Sequence, residues 1–422
     1  MGQSDKHTTP SAAPPVALKV LYLTTEVPYP LTSGFLRHYH FLRSLGQKHK
    51  ITYCSLTKKP RLSPEALAAL QPVTERIMIF GETRSREPFL LRLLGALPLA
   101  GGKPQKALRF RLAARAMKKA VRELLQQETF DVVMYSGKNT FPAIADLRGV
   151  PIVADCCDAT SARVRGEMRH AGFARRLWLL LRYLEVRRIE KRLVRKTPHL
   201  AFASRRDRAL LLPGAPRGEI IPQAVEVDYW RRLPEPRSDN SLIFTGVLNY
   251  APNHDAAMFL LAEIWPRLQS EMPQLELVLA GRDPLPALRA AAQRSRNVTV
   301  TGFVEDLRPY LSRAALYVAP IRFASGVQNK ILEALAMELP VVTTPVVAEG
   351  LHLGEGVAAP LRVAQEASQF VAAIVDLLHN PGECRRLAQA GRQFVEQHFV
   401  WARNVAKLEA LWLAAAGHNG AS

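Results

Sequence analysis

Four cysteines in 422 residues, Cys54, Cys156, Cys157 and Cys384, with no CxxC spacing, give the chain neither a disulfide framework nor a thiolate metal site. The adjacent Cys156 and Cys157 are badly placed to bridge each other, so reduced thiols in a cytoplasmic protein are expected. No uninterrupted apolar run is long enough to span a bilayer. The opening MGQSDKHTTPSAAPP is polar and proline-rich and lacks the apolar core of a signal peptide, so residues 1–16 read as a disordered leader. Zinc-finger, RNP and basic-zipper patterns are missing, which argues against nucleic acid as a partner. No DxD-type carboxylate pair is set for a catalytic metal, and none is expected.

With 48% hydrophobic and 22% charged residues, the chain has the composition of a globular protein large enough for two cores. Its net charge of +20 is unevenly placed: residues 1–222 carry +22 and residues 223–422 carry −2. Something anionic is therefore expected to meet the first half, and basic residues interleaved with Leu, Trp and Phe favour an acidic membrane surface over a polyanion. A generally Arg-rich composition is the plain alternative. Residues 17–230 read as a first α/β domain and the polar, proline-containing 231–240 as a linker. Residues 241–398 read as a second α/β domain, and 399–422 as a helix that crosses back to the first, with a tail.

The most informative stretch is Ala319 to Thr344, APIRFASGVQNKILEALAMELPVVTT, which reads as strand, loop, helix, strand and so as a crossover in a parallel sheet. A helix start offers free N–H groups and a favourable dipole to an anion, and Gly326 with Val327 allows close backbone approach. Arg322 and Lys330 add positive charge, and Arg grips two phosphate oxygens at once. Glu333 is placed to accept hydrogen bonds from two sugar hydroxyls. The alternative is an ordinary crossover with a solvated Lys and Glu. Against it, the helix interior from Ile331 to Met337 is mostly apolar, so burying Lys330 and Glu333 demands partners.

This stretch resembles the donor-sugar motif of retaining glycosyltransferases of the GT-B fold in glycosyltransferase family 4. GVQNKILEALAMELPVVTT with AEGL following resembles, more narrowly, sugar transferases associated with bacterial exopolysaccharide and PEP-CTERM (exosortase) systems. The resemblance implies two Rossmann-like parallel-sheet domains facing across a cleft, and it covers roughly residues 17–400, with specific motifs only in the second half. It implies that Glu333 binds the nucleotide ribose and that Arg322 and Lys330 hold the diphosphate, with Ser325, Gln328 and Asn329 lining the donor. One departure is that the family's second Glu, eight residues before the ribose Glu, is Ser325 here. In the loop after SLIFTG, Val247 and Asn253 stand near places where the family often has Arg and Lys. The family's IPNGVD strand carries Gln223, Ala224 and Glu226 in place of Asn, Gly and Asp.

Other candidates lie at strand ends, where open parallel sheets present ligands. Gly34 follows the first strand, and Gly246, Gly281 and Arg282 close strands of the second half. Phe303 and Val304 match the family's nucleobase positions, with a plain core role as the alternative. Asp155 and Asp158 end the strand of VPIVADCCDATSARV. Asp158 is either a catalytic carboxylate near the acceptor or a cap for the helix starting near Ser161. Phe173 to Lys196 reads as a long helix with Leu177, Leu181 and Leu184 at helical spacing and nine basic residues against two acidic ones. Arg187, Arg188 and Arg192 are its candidate contacts to membrane or acceptor, and a helix covering the sheet with an Arg-rich outer face is the alternative. Phe89 to Leu99 reads either as a core helix or as an interfacial segment.

The expected reaction is transfer of a sugar from a UDP- or GDP-sugar to an acceptor hydroxyl on a lipid-linked glycan or a polysaccharide. The expected location is the cytoplasmic face of the plasma membrane, with no bound cofactor. A nucleotide-sugar epimerase or hydrolase on the same fold, and a basic polyanion-binding protein, are the other readings.

Overall fold

The computed structural model describes residues 16–29, 36–57, 61–81, 103–156, 158–214, 217–354 and 356–417. The readings of Gly34, of Cys157 and of the segment Phe89 to Leu99, and nearly all of the leader, lie outside the described residues. Two sheets carry the fold, as expected for two Rossmann-like domains. The first has seven strands: β1 (Lys19–Thr25), β2 (Lys50–Thr57), β3 (Arg76–Gly81), β4 (Val132–Ser136), β5 (Ile152–Asp155), β6 (His199–Phe202) and β7 (Glu219–Ile220). Their order is β3-β2-β1-β4-β5-β6-β7. The second has six: β8 (Ser241–Thr245), β9 (Glu276–Ala280), β10 (Val298–Gly302), β11 (Leu316–Ala319), β12 (Val341–Thr343) and β13 (Arg362–Val363). These run β10-β9-β8-β11-β12-β13, and each neighbouring pair is parallel.

The strands are near-continuous apolar runs because a parallel sheet is covered on both faces. The runs VLYLTT in β1 and ITYCSLT in β2 are buried along their whole length, as are SLIFT in β8 and LYVA in β11. The helices used below are α1 (Leu36–Leu45), α2 (Lys103–Gln127), α3 (Thr160–Arg169), α4 (Phe173–Lys196), α5 (Arg205–Leu211), α6 (Ala251–Phe259), α7 (Asn329–Ala336), α8 (Pro381–His398) and α9 (Trp401–Ala415). Helix α6 passes through a π turn at Leu260–Ile264 into a further helix, Trp265–Glu271. Pro266 lacks the N–H that an unbroken α ladder needs, and the wider register accommodates it.

The chain forms two compact units: residues 1–134 with 147–151, and residues 135–146 with 152–422. The first holds β1 to β3, most of β4, α1 and α2. The second holds β5 to β7, the whole second sheet and the remaining helices named above. Within this second unit, residues 231–240 carry no helix or strand, and α9 lies against β5 and β6. There Asn404 Nδ2 donates to Pro222 O at 2.8 Å and Lys407 Nζ to Ile220 O at 2.9 Å. Arg392 of α8 donates from Nη1 to the carbonyls of Val227, Trp230 and Ala336 at 3.0, 2.8 and 2.8 Å, tying the end of α7 to the segment before the linker. Cys54, Cys156 and Cys384 are free thiols.

Candidate active site

The candidate residues of the second unit gather where β8, β9, β10 and β11 end. Three of those strands finish in glycine turns laced together. Gly246 N–H donates to Ala280 O at 3.0 Å, Leu248 N–H to Arg282 O at 2.9 Å, and Gly281 N–H to Thr301 Oγ1 at 3.3 Å. The side chain of Asn253 fills the space over Gly246, where a Cβ would meet its Nδ2 at 2.7 Å. Asn253 Nδ2 donates to Val247 O at 3.0 Å, and its Oδ1 accepts from Lys330 Nζ. Phe303 is 65% exposed and Val304 half-buried, so Phe303 is a free aromatic face and not a core residue. Arg282 is exposed.

The loop between β11 and α7 is held from below and from the side. Thr343 Oγ1 donates to Ala319 O at 2.8 Å and Thr344 Oγ1 to Ile321 O at 2.5 Å, so the second half of VVTT fixes the loop's entry. Gln328 Nε2 donates to Ser325 O at 2.9 Å across the turn, where Gly326 takes φ +67°. Gly350 of AEGL lies so close that a Cβ there would sit 2.8 Å from Gly326 O. Glu349 pairs with Arg206 at 3.2 Å, and Arg206 Nη1 donates to Ala324 O and Val346 O at 3.4 and 3.3 Å.

Within this frame the charges are placed unequally. Arg322 makes a bidentate ion pair, Nε and Nη2 donating to the Asp255 carboxylate at 2.8 and 2.5 Å, with its guanidinium 4.9 Å from the Phe259 ring centre. It also borders a cavity of about 520 Å³ lined by Met258, Phe259, Arg267 and Ser368, which none of the other candidate residues lines. Lys330 lies 5.6 Å from the centre of the Phe244 ring. Burial pulls its ammonium down to about 8, partly opposed by Glu333. Burial pushes the Glu333 carboxyl up to about 7, partly opposed by Lys330. Among the described residues the Glu333 carboxylate has no hydrogen-bond partner.

The first-sheet side of the same unit supplies two carboxylates to this loop. Asp158 accepts from Ser325 Oγ, from Thr160 Oγ1 at 3.1 Å and from Lys138 Nζ at 3.4 Å. Burial alone would raise its carboxyl, but Lys138, Ser325 and Arg163 outweigh that and hold it below the usual carboxylate range. Asp158 does not cap α3, whose N-cap is Ala159. Asp207 was not anticipated. Its Oδ1 accepts from Ala159 N–H at 2.8 Å and from Gly326 N–H at 3.3 Å, and its other oxygen accepts from Ser204 Oγ. Burial raises its carboxyl above the usual range. The expectation that the Gly326 amide stands open to a phosphate is corrected here, since that N–H already has a carboxylate partner. In sequence, Ser204 and Asp207 show only an S-x-x-D helix start, and Ser204 does cap α5.

Asp155 is buried at the end of β5, and Val327 and Asn329 sit at the entry to α7. Of the three candidate surface arginines, Arg188 and Arg192 are exposed and Arg187 is partly buried; Arg187 donates to Leu210 O at 3.4 Å and Arg192 lies over the Phe141 ring at 5.4 Å. Both of the latter are partly engaged by the protein.

The strand order and paired parallel sheets are those of GT-B glycosyltransferase structures, so the chain has the GT-B fold. Residues 239–380 match the family model described as "Glycosyl transferases group 1". The putative glycosyltransferase EpsD of Bacillus subtilis strain 168 is 27% identical over 180 residues, covering 42% of this chain and 46% of that protein. The match thus spans about half the length of that relative. Sucrose-phosphate synthase of Thermosynechococcus elongatus superposes with a TM-score of 0.66 at 14% identity, covering 94% of this chain and 98% of that one. Anabaena HepE in complex with UDP-glucose gives 0.63 at 13% identity, covering 94% and 100%.

The two shifted groups predict a pH profile for ligand binding. Burial raises the Glu333 carboxyl to about 7 and lowers the Lys330 ammonium to about 8, so binding of a nucleoside diphosphate is expected to peak between them. Affinity falls on the acid side as the carboxylate is lost and on the alkaline side as the ammonium is lost. Calorimetric titration with UDP and GDP from about pH 5 to about pH 10 reads this. Glu333→Gln should remove the acid limb and Lys330→Met the alkaline limb; a profile unchanged in both variants refutes the assignment.

Proposed function

We propose that the protein is a glycosyltransferase that moves a hexose from a nucleoside diphosphate sugar to an acceptor hydroxyl. The observation that carries this is the Lys330–Glu333 pair: a half-buried ammonium and a half-buried carboxylate without a hydrogen-bond partner among the described residues, one turn apart at the start of a helix, beside the glycine turns of three strands. Such a pair is costly to keep in a ligand-free protein and is matched by a ligand carrying a diphosphate and a diol. UDP and UDP-glucose in the HepE structures, and UDP in a TarM structure, support a nucleotide-sugar donor.

In this reading Glu333 accepts hydrogen bonds from the ribose hydroxyls and Phe303 with Val304 cradles the base. Lys330 meets the diphosphate directly. Arg322 reaches it through Nη1, the guanidinium nitrogen that Asp255 leaves without a hydrogen-bond partner among the described residues. Breaking the anomeric bond collects negative charge on the departing diphosphate, and cations fixed before the reaction lower that barrier. Asp158, kept ionised by Lys138, presents a carboxylate on the other side of Ser325, where the sugar or acceptor would lie. Retention of the anomeric configuration and a place in bacterial exopolysaccharide synthesis of the PEP-CTERM type follow from the family 4 resemblance. The match to EpsD, a putative glycosyltransferase, supports sugar transfer, and polysaccharide or cell-surface glycan synthesis is the role this reading gives it. The acceptor is a lipid-linked glycan or polysaccharide, and the enzyme works peripherally at the inner face of the plasma membrane.

The decisive experiment offers the purified protein a panel of UDP- and GDP-sugars with bacterial membrane extract and follows donor consumption and label transfer. One donor should be consumed only with extract, its sugar appearing in extract material. Equal consumption without extract would make the protein a hydrolase or epimerase, and no consumption of any donor would refute the transferase reading.

A further inference from the structure

Helix α4 is apolar on two opposite faces, and only one of them is covered. Leu179, Val186 and Leu193, at seven-residue spacing, are buried against the protein. Phe173, Leu177, Leu181 and Leu184 follow the i, i+4, i+8, i+11 stripe on the other side and are 90%, 60%, 63% and 43% exposed. Trp178 beside them is 53% exposed, with the Arg182 guanidinium 5.6 Å from its ring centre. Continued toward the C-terminus, the same outward stripe becomes Arg188, Lys191 and Arg195, all exposed. Glu190 is buried against Lys138 and does not offset them, which leaves Glu185 as the exposed acid of the helix. A run of large apolar side chains turned to solvent over three helical turns and continued by cations is not a core face.

We propose that α4 is a membrane-docking helix whose first half inserts Phe173, Leu177, Leu181 and Leu184 into an anionic bilayer while Arg188, Lys191 and Arg195 lie among the headgroups. The sequence of the stripe, apolar then cationic, matches the depth profile of an acidic lipid interface, where acyl chains take the first group and phosphates the second. Of the trio expected from sequence, Arg188 lies on this stripe, Arg192 is exposed beside it with its guanidinium over the Phe141 ring, and Arg187 is partly buried and donates to Leu210 O.

The helix is also tied to the donor loop. In the adjoining α3, Gly166 packs so closely on Phe323 that a Cβ would lie 2.7 Å from the Phe323 Cβ, and the His170 ring stacks on Phe323 with centroids 6.0 Å apart. Arg175 in the first turn of α4 pairs with Glu167 of α3 at 2.5 Å. Docking through α4 thus holds the β11–α7 loop beside the lipid surface. Resting on the transferase reading above, this narrows the acceptor to a glycan or phosphate carried on a lipid and presented from the membrane plane.

The test is co-sedimentation of the full chain with vesicles of phosphatidylcholine alone or with about 30% phosphatidylglycerol. Wild-type protein should sediment with the anionic vesicles, less with neutral ones, and less as salt rises. Phe173→Ser/Leu177→Ser/Leu181→Ser should lower the bound fraction at least about tenfold with an unchanged thermal melt, because these side chains are exposed. That variant should consume donor normally with detergent-dispersed membrane extract but poorly with intact membranes. Binding does not require turnover, so a failed transferase assay leaves this result standing. Absence of vesicle binding, or a triple variant that binds like wild type, overturns the proposal. So does concentration-dependent self-association that the triple variant abolishes while neither protein binds lipid, which would make the stripe an interface between copies of the chain.

Discussion

Glu333→Gln is expected to reduce kcat/KM for the nucleotide-sugar donor by about 10²–10³-fold without loss of the fold. Two hydrogen bonds from ribose hydroxyls to a carboxylate are charge-assisted, each worth about 1.5–3 kcal/mol in a desolvated site, and the amide keeps shape but not charge. If the ribose contact is made equally in ground and transition states, most of the loss appears in KM. The same substitution should not lower the melting temperature, and the sign can be worked out. The carboxyl's folded value lies at about 7, above the ordinary carboxylate range, so its contribution to stability is fully present below the unfolded value and is lost as pH rises through about 7. At pH 8 the ionised side chain is a net cost, and the neutral amide removes it. Wild-type turnover in a folded Glu333→Gln protein would sink the site assignment, and a fall in both activity and melting temperature would show a structural role instead.

Much of this site was legible because its groups are local. Arg322, Gly326, Lys330 and Glu333 lie within twelve consecutive residues, and a strand–loop–helix unit places them without reference to anything distant. The strands were legible for a similar reason, since a parallel sheet covered on both faces leaves long apolar runs. What stayed hidden depends on residues far apart in the chain. Asp255, the partner that takes two of the Arg322 donors, is 67 residues upstream. Asp158 reaches Ser325 across 167 residues and Asp207 reaches Gly326 across 119, and no spacing rule announces either pairing. The spacing of Leu177, Leu181 and Leu184 correctly gives a stripe on one side of a helix, but a period does not say which side meets the core. Leu179, Val186 and Leu193 are the ones buried in the structure.

Gly281→Ala is expected to be among the most damaging single changes in the second sheet, costing about 3–5 kcal/mol or preventing soluble expression. A Cβ on Gly281 would lie 1.8 Å from the carbonyl oxygen of Gly246, and its φ of +150° is itself one that side chains rarely adopt. The neighbour is backbone, so nothing short of parting the two turns relieves the clash. Those turns carry the Gly246–Ala280 and Leu248–Arg282 hydrogen bonds, and Asn253, the Lys330 partner, packs on Gly246. Spreading them should weaken nucleotide binding as well as stability. Gly149→Ala separates the causes, because Gly149 has φ +77° but nothing within 4 Å of the added Cβ. It should cost only the backbone penalty of about 1–2 kcal/mol. Chemical denaturation of both variants, with UDP titration of whichever folds, measures the difference. If Gly281→Ala costs no more than Gly149→Ala and still binds UDP, the close approach of the two strand-end turns is not what holds Asn253 and Lys330 in place.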